Sequence, residues 1–108
     1  MKRQLIYRPD AVADLNLAEA YTRRTWGEQK AKSYVAALVA DIKALRVSAL
    51  RHPLCDSVHP GLRRKRSGMH HIYFLVSGDC VEVLNVIHVQ RDPGLHLKIE
   101  TWKDGDEE

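Results

Sequence analysis

The chain predicts an α+β domain of order β-α-α-β-β-β. Three observations carry that expectation. Apolar residues recur every three or four positions through two consecutive stretches between Pro9 and Ala49, a short apolar run precedes them, and three strand-like segments follow, ending at His88. At 108 residues, with 44% hydrophobic and 29% charged side chains, there is chain for one hydrophobic core but not for two.

The first strand is Gln4-Leu5-Ile6-Tyr7, which breaks at Arg8-Pro9. Proline suits a first helical position because the N–H it lacks would have no partner there, so a helix begins at Pro9. Val12, Leu15, Ala18 (with Ala11) and Thr22 follow the helical period toward Trp26, and Leu17 and Tyr21 form a second, flanking stripe. Gly27 stops this helix. Glu28 opens another, in which Ala31, Val35, Leu38, Ile42, Leu45 and Ala49 recur up to the break before His52-Pro53. Its length is about six turns, and so short a connection implies an antiparallel helix hairpin.

Pro53 to Gly61 reads as the loop leading out. Three strands are expected next, Leu62 to Ser67, His70 to Val76 and Cys80 to His88. The last two are separated by Ser77-Gly78-Asp79 and form an antiparallel hairpin, since glycine in a three-residue loop can take positive φ. Strict alternation puts Val81, Val83, Asn85 and Ile87 on one face of the last strand, with Cys80, Glu82, Leu84, Val86 and His88 on the other. In Leu62 to Ser67 it separates Arg63 and Lys65 from Arg64 and Arg66, so at least one pair of cations points away from the core. The domain is expected to span residues 1–97, with residues 98–108 as a short acidic tail.

A net charge of +3 conceals an asymmetry. Four of the 14 acidic residues lie in the last five positions, which leaves 17 cations against 10 anions in residues 1 to 103. Such a body meets any polyanion faster, whether nucleic acid or acidic protein, without choosing between them. Cys55 and Cys80 form no CxxC, and neither a secretory signal nor an apolar span of membrane length is visible, so a reducing, cytoplasmic address with no membrane partner is expected. Six histidines are many for this length, but no acid or thiol stands at ligand spacing with them, so no metal and no cofactor are expected.

Four segments in order, Arg8-Pro9-Asp10-Ala11-Val12-Ala13-Asp14-Leu15, Trp26-Gly27, His59-Pro60-Gly61-Leu62-Arg63 and Val83-Leu84-Asn85-Val86-Ile87-His88-Val89-Gln90-Arg91-Asp92, make a chain that resembles the ParE branch of the RelE/ParE toxin superfamily over roughly residues 3 to 93. The resemblance implies a helix hairpin packed on one face of a small, antiparallel-dominated sheet. It also implies the toxin of a bacterial type II toxin–antitoxin pair, a non-enzymatic inhibitor of DNA gyrase silenced by a cognate antitoxin in a hetero-oligomer. Arg63, Arg64, Arg66 and Arg91 are then the target-binding candidates. Leu17, Tyr21, Arg24 and Leu75 are the antitoxin-binding ones.

The RelE branch instead cleaves messenger RNA in the ribosome, and on that alternative His71, His88 and Arg91 are the candidate catalytic residues. His70, His71 and His88 can approach one another across the last two strands. Such a centre needs a base, cations for the phosphate charge and an acid on one sheet face. A third alternative is a non-toxic partner that survives as a co-repressor with its antitoxin. The chain departs from both branches. The tyrosine expected near Leu97 is missing, and Leu75 and Asn85 stand where ParE relatives usually carry arginine.

Overall fold

The computed structural model describes residues 2–97, apart from the side chains of Leu95 and His96; the expected acidic tail, 98–108, lies outside them. Its elements are β1 (Gln4–Tyr7), α1 (Pro9–Trp26), α2 (Glu28–Ser48), β2 (Arg63–Ser67), β3 (His70–Ser77), β4 (Cys80–His88) and a four-residue helix α3 (Pro93–His96). A single 3₁₀ turn, Ala49–Arg51, extends α2. The expected order is the observed one.

Local chemistry sets the helix limits. Arg8 is extended and Pro9 opens α1. Gly27, at φ +99°, donates its N–H to the Arg23 carbonyl at 3.0 Å and accepts from the Ala31 N–H at 3.1 Å. One left-handed residue therefore closes α1 and starts α2, a conformation that glycine adopts without steric penalty.

The sheet order is β1-β4-β3-β2, parallel between β1 and β4 and antiparallel elsewhere. The chain between β1 and β4 runs through the helix hairpin and then β2 and β3, a connection long enough for a parallel pair. On the helix side, Leu38, Ile42 and Leu45 of α2 pack with Phe74, Val81 and Val83, and Ala11 and Ala18 let α1 approach closely. The other face is not bare. Leu62, Tyr73, Leu84, Ile87 and Leu97 form a second buried cluster, covered by Cys55, Val58 and Leu75. The segment expected to lead away as a loop thus folds back over the outer face.

Two expectations fail for physical reasons. Val12 is 45% exposed, because the inward line of α1 runs through Ala11, Ala18 and Thr22, and the Thr22 hydroxyl donates to the Ala18 carbonyl at 2.7 Å. In β4, Val83 pairs with Phe74 and Asn85 with Tyr73, so Leu84 is an extra residue with no partner opposite. A β-bulge shifts the parity of everything after it. Val86 joins the helix-side core and Ile87 the outer cluster, the reverse of strict alternation.

Candidate functional site

An open groove of about 860 Å³ runs between α1 and the ends of β3 and β4, with Leu17, Tyr21, Arg24, Trp26, Tyr34 and Arg91 among its walls. Leu17, Tyr21 and Trp26 are 67%, 56% and 68% exposed. Large apolar side chains gathered around a concavity mark an interaction surface. Three of the four expected antitoxin-binding residues, Leu17, Tyr21 and Arg24, therefore share one groove with Arg91. Leu75 does not join them: it packs half-buried against the outer cluster, across the sheet. Trp26, which the sequence marks as the end of a helix stripe and as part of the Trp26-Gly27 segment, was not among the expected antitoxin-binding residues, yet it lines the groove.

The groove floor is polar. Asp14 of α1 accepts from the Asn85 side-chain amide at 3.0 Å and from the Val86 N–H at 2.9 Å. Asn85 is 4% exposed. The position where an arginine was expected thus carries a buried amide that ties the bulge of β4 to α1.

Beside it, the Met69 N–H donates to the Tyr34 hydroxyl at 2.9 Å, and the Tyr34 hydroxyl and His70 Nδ1 share a hydrogen bond at 2.6 Å. Gly68 makes this possible. At φ +59° it turns from β2 to β3, and a Cβ there would stand 2.8 Å from Tyr34 Cε1. The His70 and His88 rings lie 5.5 Å apart, and His88 Nδ1 accepts the Gln90 N–H at 3.1 Å. Both imidazoles use Nδ1 internally.

Burial, and then the proximity of His88 and Arg91, lowers the His70 pKa from 6.5 to about 4. The unfolded chain therefore binds a proton in a range where the folded one does not. Stability contributed by His70 is complete above about pH 6.5 and is lost as pH falls toward 4. After discounting for solvent screening we expect about 1–2 kcal/mol. Urea titrations at pH 7.5 and 4.5 should show this loss, and His70→Gln should reduce it relative to the parent.

His71 points to the other face of the sheet, where its ring stacks edge-on with Tyr73 at 6.0 Å. Burial, followed by Arg64 and Arg66, lowers its pKa. The expected meeting of His70, His71 and His88 is thus limited to His70 and His88. Adjacent strand residues face opposite ways, so the alternative nuclease set of His71, His88 and Arg91 is divided by the sheet. Among the described residues no group of three or more His, Cys, Asp or Glu side chains could hold a metal.

The basic strand is divided as well. Arg63 pairs with Phe74 and Lys65 with Ile72, both on the helix side, whereas Arg64 and Arg66 pair with Tyr73 and His71 on the outer side. Arg63 Nη1 donates to the His52 carbonyl at 2.7 Å. Arg66 Nε donates to the Gly68 carbonyl at 2.9 Å, and Arg64 hydrogen-bonds the Tyr73 side chain. Among the described residues none of the four pairs with a carboxylate. Of the four expected target-binding residues, Arg64 and Arg66 stand together, Arg63 serves the chain's own backbone, and Arg91 borders the groove.

The model of the family described as "ParE toxin of type II toxin-antitoxin system, parDE" matches residues 5–93. The chain is 32% identical to "Toxin ParE" of Escherichia coli, over 81% of this chain and 85% of that protein. It is 30% identical to "Toxin ParE1" of Caulobacter vibrioides, over 81% and 90%. A solved chromosomal ParDE system from P. aeruginosa shares the fold at a TM-score of 0.74 and 24% identity, over 82% of this chain and 98% of that one. A chain of the RelBE2 toxin–antitoxin complex of Mycobacterium tuberculosis does so at 0.59 and 19%, over 82% and 99%.

Proposed function

The chain belongs to the ParE toxin family of type II toxin–antitoxin systems, and from that premise we propose that it arrests growth by binding DNA gyrase through the outer face of β2 and is silenced by a cognate antitoxin seated in the helix-side groove. The observation that carries the reading is the pair Arg64 and Arg66. Both side chains stand on a rigid strand, oriented by neutral partners and neutralised by no carboxylate among the described residues. Cations held this way bind an acidic surface without prior rearrangement. The site of action is the bacterial cytoplasm; among the described residues no helix is long and apolar enough to cross a membrane.

Binding rather than catalysis suits the histidines. A general base needs a free acceptor nitrogen near its substrate. His70 Nδ1 and His88 Nδ1 are both engaged in internal hydrogen bonds, and His71 lies across the sheet. The deciding assay adds purified chain to gyrase and relaxed plasmid. Inhibition of supercoiling or trapped cleaved DNA supports the reading; untouched gyrase together with cut ribosome-bound messages overturns it.

The groove makes a separate prediction. Tyr21→Ala should weaken the cognate antitoxin by about 2 kcal/mol, roughly thirtyfold, the scale of a central aromatic anchor. Inhibition of gyrase by the free variant should be unchanged. Calorimetric titration with the antitoxin, run beside the supercoiling assay, checks both halves.

A further inference from the structure

We propose that the uncovered end of β2 contacts the phosphate backbone of duplex DNA, and that the isolated chain binds DNA there without any protein target. The proposal deepens the target-binding reading and rests on it for its cellular setting, but the affinity itself is measured without gyrase.

β2 is an edge strand. Its first half is covered from outside: Leu54 bridges Arg63, the Cys55 N–H donates to the Leu62 carbonyl at 2.6 Å, and the Arg64 N–H donates to the Pro53 carbonyl at 3.2 Å. Along a strand every second amide points the same way. The Arg66 N–H therefore turns outward like that of Arg64, but beyond the end of the covering segment. What remains open is Lys65 and Arg66; Ser67 is buried, and its hydroxyl donates to the Asp41 carboxylate of α2.

That open length selects among partners. An extended acidic peptide that adds a strand to an edge needs a longer run of alternating donors and acceptors than two residues offer. A second copy pairing β2 with β2 would set like charges opposite one another, which is destabilising. A phosphate backbone needs neither register nor strand pairing, only positive charge and N–H donors.

The side chains supply that chemistry. Arg64 and Arg66 project from the outer face about 7 Å apart, two residues along an extended strand. Lys65 projects the other way, toward the side of His52, whose pKa is lowered by burial and by Lys65, Arg51 and Arg63. The strand is thus a narrow ridge with cations on both flanks and an outward amide at its rim. It offers donors to two rows of phosphates: among the described residues Arg64, Lys65 and Arg66 form no ion pair with a carboxylate, and the Asp41 carboxylate at this end of β2 accepts the Ser67 hydroxyl.

Fluorescence anisotropy of a labelled duplex of about 20 base pairs tests this between about 50 and 200 mM salt. Three phosphate contacts predict a slope of log affinity on log salt near −2.7, from about −0.9 per phosphate. Arg64→Ala, Lys65→Ala and Arg66→Ala together should weaken binding at the low-salt end at least about tenfold and flatten the slope by about 2 to 3. Arg64→Lys with Arg66→Lys, which keeps the charge, should keep the slope, separating charge loss from misfolding.

The proposal is overturned if the parent chain fails to bind duplex at low salt or if the alanine variant keeps the parent slope. It is also overturned if poly-glutamate displaces the duplex at equal charge concentration, which would assign the ridge to an acidic protein. Absent DNA binding with gyrase inhibition still dependent on Arg64 and Arg66 would remove this proposal and leave the target-binding reading standing.

Discussion

A chain carrying both Arg64→Ala and Arg66→Ala is expected to lose its affinity for gyrase by at least about a hundredfold while binding antitoxin within about threefold of the parent. The magnitude follows from losing two charged groups at one contact, each worth about 2 kcal/mol or more once desolvated against an acidic surface. The selectivity follows from the fold. Arg64 and Arg66 share the outer face with His71 and Tyr73, whereas Leu17, Tyr21 and Arg24 border the groove under α1. Arg63 stays in place in this variant, because its guanidinium holds the His52 carbonyl and its removal would disturb the covering segment. Supercoiling assays and antitoxin titrations on the same preparation measure both effects. Full inhibition by the double variant would remove the outer face as the target surface.

The division of these residues between two faces shows what was legible in the sequence. Pro9, Gly27 and the Ser77-Gly78-Asp79 turn act through their own φ and their own missing or available donors, so they announce helix and hairpin limits without knowledge of the rest of the chain. The alternation of Arg63 to Arg66 was equally local, and β2 keeps it. The bulge at Leu84 is not local. It exists only in the pairing of β4 with β3, and it reversed the faces assigned to Val86 and Ile87.

The same limit explains Leu75 and the histidines. Period-two counting separates His70 from His71 at once, but which of them meets His88 depends on the register His70↔His88. Leu75 is grouped with Leu17 and Tyr21 by the resemblance. It faces the outer cluster, whose existence depends on the Pro53 to Gly61 segment folding back through the Cys55 and Leu62 pairing. Tyr34 escaped notice because it lies beside the apolar stripe of α2, and its role needs Gly68, which is 34 positions away, to vacate the space.

Asp14→Ala should be the most destabilising polar substitution in the groove, at about 2–4 kcal/mol. Val86 follows the bulge, so its N–H is not given to the ordinary ladder; it donates to Asp14 Oδ2 at 2.9 Å. The same oxygen receives the Asn85 side-chain amide at 3.0 Å. Alanine would leave two buried donors without an acceptor, and each carries a desolvation penalty of about 1–3 kcal/mol. It would also release α1 from β4, since this carboxylate joins the two. For a domain of this size the melting temperature should fall by roughly 4–8 °C per kcal/mol. Asp14→Asn keeps a carbonyl oxygen in place and loses only the charge assistance, so it should fall between parent and alanine, near 1 kcal/mol. Urea unfolding of the three chains at neutral pH gives the comparison. An alanine variant within about 0.5 kcal/mol of the parent would mean that the bulge is held by β3 alone.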